Sequence, residues 1–325
     1  MRPNDIHSVI TSLFPIRRSV CIEGPPGGGK TSIVRQVASD LGVQYIERHM
    51  PTMLVEDFGI PLPKDGVLKY TIPYWFPQDP DSKGILCFDD RNQASPDLQK
   101  VLANVIQARE LHGHKLPDGW MVISTGNRKE DAAGANKVLS HLRNRETVIE
   151  METHIDDWSQ WALANNIRPE LVSFMRFRPD ILHKFDAKQD RNPTPRSWSE
   201  GVSSVIDVVP KHLELATFAG AVGEGPAAEF SAFLKIFRDL PNPDAILMNP
   251  DTADVPAQPA VLYALAGALA NRATPHVMDS MVTYINRIPK EFGILCMTMA
   301  VRRDKNLSQT NGFTKWTTSN LKVLF

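Results

Sequence analysis

Through the first half of the chain, short apolar runs alternate with segments whose apolar residues recur at helical spacing. Ile33, Val34, Val37 and Leu41 mark one face of a helix from Lys30 to Leu41, and Gly42 stops it. Residues 5–16 predict a short amphipathic helix with Asp5 as its cap, and 96–108 a second, longer one. Apolar runs at 18–23, 43–48, 85–88, 121–125 and 148–152 predict strands. Strands that alternate with helices imply a parallel sheet covered on both faces.

Two stretches break this rhythm. Residues 56–83 are rich in Pro and Gly, and Asp65-Gly66 stands between two apolar runs, a hairpin signal. A second hairpin is expected over 109–119 with Gly113 at its tip. Beyond about residue 153 the strand signal fades and helical spacing dominates. Residues 239–259 carry five prolines and read as an extended linker, after which helices resume over 260–273 and again through 276–303.

Composition narrows the class without naming it. The 325 residues are 42% apolar and 22% charged, ordinary for a globular protein. Charge is balanced, with 36 Lys plus Arg against 37 Asp plus Glu, and residues 1–150 hold 18 of each sign. Bulk charge therefore does not drive nucleic-acid binding, although a local basic lining remains compatible. Only the last 25 residues lean basic, through Arg302, Arg303, Lys305, Lys315 and Lys322 against Asp304. The three cysteines, Cys21, Cys87 and Cys296, lie too far apart for a disulfide framework or a metal-ligand pattern. No apolar run has the ~18 residues of a membrane span, and the N-terminus lacks a signal-peptide hydrophobic stretch. A soluble protein of a reducing compartment, the cytoplasm, is expected.

The chemistry concentrates at Gly24-Pro-Pro-Gly-Gly-Gly-Lys-Thr31, which fits G-x-x-x-x-G-K-[ST] between an expected strand and an expected helix. Glycines let successive N–H groups turn inward into an anion nest that a Cβ would block. The helix N-terminus adds its dipole to the same place. Gly24, Pro25, Pro26, Gly27, Gly28, Gly29, Lys30, Thr31 and Ser32 are the expected nucleotide-binding residues. Lys30 is expected at the β- and γ-phosphates of ATP and the Thr31 hydroxyl on Mg2+. Such a loop needs an acidic metal partner at a neighbouring strand end, and Ile85-Leu-Cys-Phe-Asp89-Asp90 supplies four apolar residues followed by two carboxylates. Asp89 is expected to hold Mg2+ and Asp90 to polarise the attacking water.

The order of phosphate loop, Gly84-Ile-Leu-Cys-Phe-Asp-Asp-Arg-Asn-Gln-Ala94 and Ile123-Ser-Thr-Gly-Asn127 resembles AAA+ ATPases, and most closely their MoxR-like branch. That branch typically carries D-E-x-N-x-A where this chain has Asp89-Asp90-Arg91-Asn92-Gln93-Ala94. The resemblance implies a P-loop AAA+ α/β domain over 1–153, a parallel sheet sandwiched by helices. A helical lid over 154–238, the Pro-rich linker over 239–259 and a helical C-terminal segment over 260–325 would follow. It also implies that Asn127 senses the γ-phosphate and that Arg145, or else Arg143, reaches a neighbouring subunit's nucleotide. A guanidinium suits that task because it is always charged and forks onto phosphate oxygens. Arg196, in Pro193-Thr-Pro-Arg-Ser-Trp198, matches the family's second-domain arginine; Thr194 can cap its helix and Pro195 take the first helical position.

The two interruptions match the family's insertion in its second helix and the hairpin before the sensing strand, both facing a ring's pore. Tyr70, Tyr74, Trp75 and Phe76 then offer either a polypeptide grip or a local hydrophobic cluster. His112 and His114 alternate onto one strand face, with no third metal ligand in view. Cys21 and Cys87 are expected in neighbouring central strands, buried and inert.

Two features depart from the family. Asp90 replaces the usual Glu with a carboxylate one methylene shorter, and misplacement by about 1 Å can slow a reaction ~10²-fold. Glu146 stands where relatives often have an aromatic residue, and a neighbouring carboxylate would compete for Arg145. Both suggest slow or partner-dependent hydrolysis. The leading expectation is a hexameric, ring-forming ATPase that remodels or activates a partner protein, in relatives often one with a von Willebrand factor type A domain. A nucleotide-controlled scaffold with very slow hydrolysis and a DNA-directed AAA+ motor are the alternatives. A small-molecule kinase is the remotest, having no need of Arg145 or Arg196.

Overall fold

The computed structural model describes residues 1–128, 131 and 144–324, with side chains to residue 320. Two compact units appear, one of residues 1–154 with 185–188, the other of 155–184 with 189–325.

In the first unit, five strands form one sheet: β1 (Val20–Glu23), β2 (Gln44–His49), β5 (Lys83–Asp89), β8 (Gly119–Gly126) and β9 (Thr147–Glu150). Their order is β2-β5-β8-β1-β9, and every pairing is parallel. The described α-helices of this unit are α1 (Pro3–Leu13), α2 (Lys30–Asp40) and α3 (Pro96–Ala108). Period-two alternation divides the central strands between two cores. Ile85, Cys87, Met121 and Ile123 join Ile6, Ile10, Val34 and Val37 of α1 and α2. Leu86, Phe88, Trp120 and Val122 join Leu98, Leu102 and Ile106 of α3. Both faces are thus covered, as the alternation of strands and helices requires.

Two short antiparallel hairpins stand beside the sheet: β3 (Pro61–Lys64) with β4 (Val67–Tyr70), and β6 (Glu110–Leu111) with β7 (His114–Lys115). Asp65 and Gly66 turn the first at φ 52° and 76°, His112 and Gly113 the second at 50° and 84°. Two consecutive positive φ values are the mark of the type I′ turn, which suits the strand twist.

The second unit is helical: α4 (Ile155–Ala164), α5 (Pro169–Phe177), α6 (Lys211–Val222), α7 (Glu224–Arg238), α8 (Pro243–Met248), α9 (Pro259–Arg272), α10 (Met278–Ile285), α11 (Lys290–Arg303) and α12 (Asn311–Leu324). Its core gathers Phe174, Trp198, Phe218, Phe230 and Phe233 with Leu265, Leu269, Tyr284 and Met297. Gly267 of α9 lies so close to Ser173 of α5 that a Cβ would collide with the Ser173 hydroxyl.

Several expectations need correction. The stretch 239–259 is not an extended linker, because it holds α8, whose Ile246 and Leu247 are buried in the helical core. Lid and C-terminal segment accordingly fall in one compact unit. Asp5 sits in the first turn of α1, and Arg2 takes the cap position because Pro3 starts the helix. Cys21 and Cys87 are fully buried, but β8 lies between their strands. The helical stretch 276–303 consists of α10 and α11, with Pro289 at the break before α11.

Candidate functional site

The phosphate loop joins the end of β1 to the start of α2. Gly27 and Gly29 take left-handed φ values of 70° and 95°, a conformation that costs other residues about 1–2 kcal/mol. A Cβ built on Gly29 meets nothing within 4 Å, so backbone conformation rather than crowding selects glycine there. The Gly24 N–H donates to the Gly126 carbonyl at 3.1 Å, stitching the loop to β8. Lys30 is 6% exposed. Its ammonium donates to the Gly24 carbonyl at 3.0 Å, the Pro25 carbonyl at 3.1 Å and Asn127 Oδ1 at 2.9 Å. The three protons of the ammonium thus already point at oxygens around the loop mouth. Pro25 is buried, Pro26, Gly27 and Gly28 partly so, and Ser32 is exposed on the first turn of α2.

Parallel strands bring the other predicted residues to the same sheet edge. Asp89 ends β5, and its Oδ1 accepts hydrogen bonds from Thr31 Oγ1 at 2.5 Å and Thr125 Oγ1 at 2.6 Å. His49 Nδ1, at the end of β2, lies 3.2 Å from Asp89 Oδ2. Burial would push the Asp89 carboxyl up, but the bonds from Thr125, Thr31 and His49 outweigh it and hold the group below its ordinary value. Asp89 is therefore an anion at neutral pH, in contact with the Thr31 hydroxyl that would share its ion. Asp90 adopts a left-handed φ of 52°, fixed by its N–H donating to Thr125 Oγ1 at 3.0 Å. His49, Asp89 and Asp90 present ligand atoms that all lie within 4.8 Å of one another, a donor set suited to a divalent cation.

Asn127 is held from two sides. Asn92 donates to its carbonyl at 2.6 Å and accepts from its N–H at 3.2 Å, while its own Oδ1 receives Lys30. Asn92 therefore fixes the backbone at Asn127.

Beside this chain of contacts lies a buried ion pair between Arg91 and Glu146, with side-chain exposures of 1% and 0%. Ser124 Oγ donates to Glu146 at 2.6 Å, and Glu23 adds a second carboxylate 3.5 Å from Arg91. Glu146 accordingly faces the core and binds Arg91, which corrects the expectation that it competes for Arg145. Arg145 itself is half-buried just before β9, and Arg143 lies outside the described residues. Thr194 Oγ1 accepts from the Ser197 N–H at 3.1 Å, capping the turn that carries the exposed Arg196 in the helical unit.

The aromatic group divides. Trp75 and Phe76 are buried, Trp75 edge-on to Phe58 with ring centroids 5.4 Å apart, so they belong to the core. Tyr70 and Tyr74 remain exposed. His112 sits in a turn rather than alternating with His114 along a strand, and its ring stacks on Tyr70 at 4.0 Å. Among the described residues, the one group of three or more His, Cys, Asp or Glu ligands is that at His49, Asp89 and Asp90.

Residues 19–145 match the profile of the AAA domain, dynein-related subfamily. The match spans 127 of the 325 residues, so this segment is similar to an AAA domain. The chain's five-stranded parallel sheet, flanking helices and helical C-terminal part form the P-loop AAA+ fold. No curated protein sequence matches the chain. Among solved structures it is similar to NtrX from Brucella abortus in complex with ADP, at 11% identity and a TM-score of 0.35, covering 99% of this chain and 68% of that one. It is also similar to a RuvB variant from Thermotoga maritima, at 15% identity and a TM-score of 0.40, covering 82% and 80%. Among the described residues, no helix is long and apolar enough to cross a membrane.

His49, Arg91, Asn92 and Thr125 were given no role by their sequence positions. Asn92 falls inside the acidic motif, and His49 ends a strand whose neighbours end in site residues; those were the available signals.

Proposed function

We propose that this chain is a ring-forming ATPase of the MoxR-like AAA+ branch that couples ATP binding and hydrolysis to the remodelling or activation of a partner protein. The observation that carries the nucleotide part is the convergence of Lys30, Asn127, Thr31 and Asp89 at the mouth of a glycine loop whose backbone turns left-handed. Lys30 meets the β- and γ-phosphates there, exchanging backbone carbonyls for phosphate oxygens. Thr31 and Asp89 hold Mg2+, which when bound neutralises developing charge on the phosphates. Asn127, held by Asn92, contacts the γ-phosphate, and Asp90 orients the attacking water. Arg145 or Arg143 of one subunit completes a neighbour's site in a hexameric homo-oligomer. The client is a protein, a von Willebrand factor type A domain protein being the partner class expected for this branch, and the setting is cytoplasmic.

ATP turnover with Mg2+, measured over a wide range of protein concentration, tests this. Specific activity that climbs with concentration supports sites completed between subunits. Flat activity removes the trans arginine. Strong stimulation by DNA would replace the protein-remodelling role with a DNA-directed motor.

The left-handed, short-chained Asp90 favours one second reading, a nucleotide-controlled scaffold that turns over very slowly. Asp90→Glu then raises turnover by at least about tenfold, since a restored reach corrects a misplacement of ~1 Å. Unchanged turnover would reject this account of Asp90.

A further inference from the structure

The strand register places a residue beside the ion site that the phosphate-loop chemistry does not require. In the parallel pair β2–β5, His49 lies directly across from Asp89. The two side chains therefore leave neighbouring strands side by side, at the carboxyl ends where the loop opens. His49 is anchored from behind, since Thr52 Oγ1 donates to its carbonyl at 3.0 Å and the next residue, Met50, is fully buried. Its imidazole is about half exposed and faces the carboxylate.

We infer that His49 is a direct nitrogen ligand of the divalent ion in this site and shifts the site's preference from Mg2+ toward Mn2+. The inference rests on the nucleotide-binding reading proposed above. An octahedral ion with bonds near 2.1 Å holds adjacent ligand atoms about 3 Å apart. His49 Nδ1 and Asp89 Oδ2 are 3.2 Å apart, an octahedral edge within a few tenths of an ångström. Asp90 belongs to the same group, whose ligand atoms all lie within 4.8 Å of one another, and stays beside the ion where it can orient water. Thr31 Oγ1, bonded to the other oxygen of Asp89, brings a third donor.

The donor chemistry sets the choice of ion. Mg2+ is hard, dehydrates reluctantly and gains little from imidazole. First-row transition ions bind nitrogen better, and a site with an oxygen majority suits Mn2+ among them. For Nδ1 to donate its lone pair to the ion, the ring must carry its proton on Nε2, and the ring is about half exposed. Asp89 keeps Thr31 and Thr125 as hydrogen-bond donors when the contact with Nδ1 is replaced by a shared ion.

The test uses the full chain with Mn2+ and a non-hydrolysable ATP analogue, read by pulsed electron paramagnetic resonance. Wild type should show nitrogen-14 modulation from a directly bound imidazole together with phosphorus coupling from the nucleotide. His49→Gln should keep the phosphorus coupling and lose the nitrogen signal. Competition between Mn2+ and Mg2+ should show the Mn2+ preference falling by about tenfold or more in the variant. Phosphorus coupling with the same nitrogen signal in both proteins would overturn the assignment of His49 and leave the nucleotide site standing. Absence of bound Mn2+ in the presence of the analogue would overturn both.

Discussion

Arg91 and Glu146 offer the sharpest test of the first unit's interior. The pair is essentially without solvent, and Glu146 Oε1 also accepts from Ser124 at 2.6 Å. Replacing Arg91 by Met leaves two carboxylates, Glu23 and Glu146, around a hydrophobic side chain, with Ser124 the one hydroxyl donor to Glu146 among these contacts. Removing one partner of a buried pair costs about 3–5 kcal/mol, because the other charge stays buried without its counter-ion. Glu23 is 13% exposed and can turn toward water, so the loss is set by Glu146 and should be about 3 kcal/mol for Arg91→Met. The double variant Arg91→Met with Glu146→Leu removes both charges and fills the space, and should return to within about 1 kcal/mol of wild type. The assay is urea unfolding of the full chain, followed by hydrogen exchange at the amides of β1 and β8 so that this unit's transition is read by itself. A single variant that costs less than ~1 kcal/mol would refute the reasoning, since a loss that small belongs to a solvated pair.

Other expectations follow from neighbouring contacts. Lys30→Met should weaken ATP binding by at least about tenfold while leaving the fold intact, checked by titration with a fluorescent nucleotide; a charge-assisted contact to phosphate is worth ~1.5 kcal/mol or more. Asn92→Ala should lower turnover roughly ten- to a hundredfold with nucleotide affinity largely kept, because it releases Asn127 from its fixed position; steady-state kinetics beside equilibrium binding separates the two. In the helical unit, hydrogen bonds from Arg238 hold Glu214 below its ordinary value. Asp207 is also low, because bonds from Arg238 and Arg168 outweigh the opposing effect of burial. Depressed carboxylates stabilise the fold fully above the ordinary carboxylate range, and that share disappears as pH falls through their lowered values. Thermal unfolding followed from pH 7 to pH 3 should show a steeper acid loss in wild type than in Arg238→Met.

The sequence by itself determined the fold class and the local form of the glycine loop. Gly27, Gly29, Lys30 and Thr31 carry their chemistry in local spacing, because the loop is a continuous segment whose backbone amides and helix N-terminus form the cradle. The strand at residues 83–89 was legible for the same reason, four buried apolar residues ending in carboxylates. Both hairpin turns were legible from a glycine at the second turn position, where positive φ is needed. Tertiary structure alone decided what pairs with what. Sequence spacing does not reveal that strand order sets β8 between Cys21 and Cys87, or that β2 and β5 meet in a register that sets His49 against Asp89. It also does not show that Glu146 turns inward to Arg91, 55 positions away, instead of outward to its neighbour Arg145. Nor does a count of prolines show that 239–259 folds a helix onto a core, since Ile246 and Leu247 acquire that role only when the other helices supply a surface to bury them. Local motifs depend on backbone geometry within a few residues. Ion pairs and burial depend on which distant segments the sheet register and helix packing bring together.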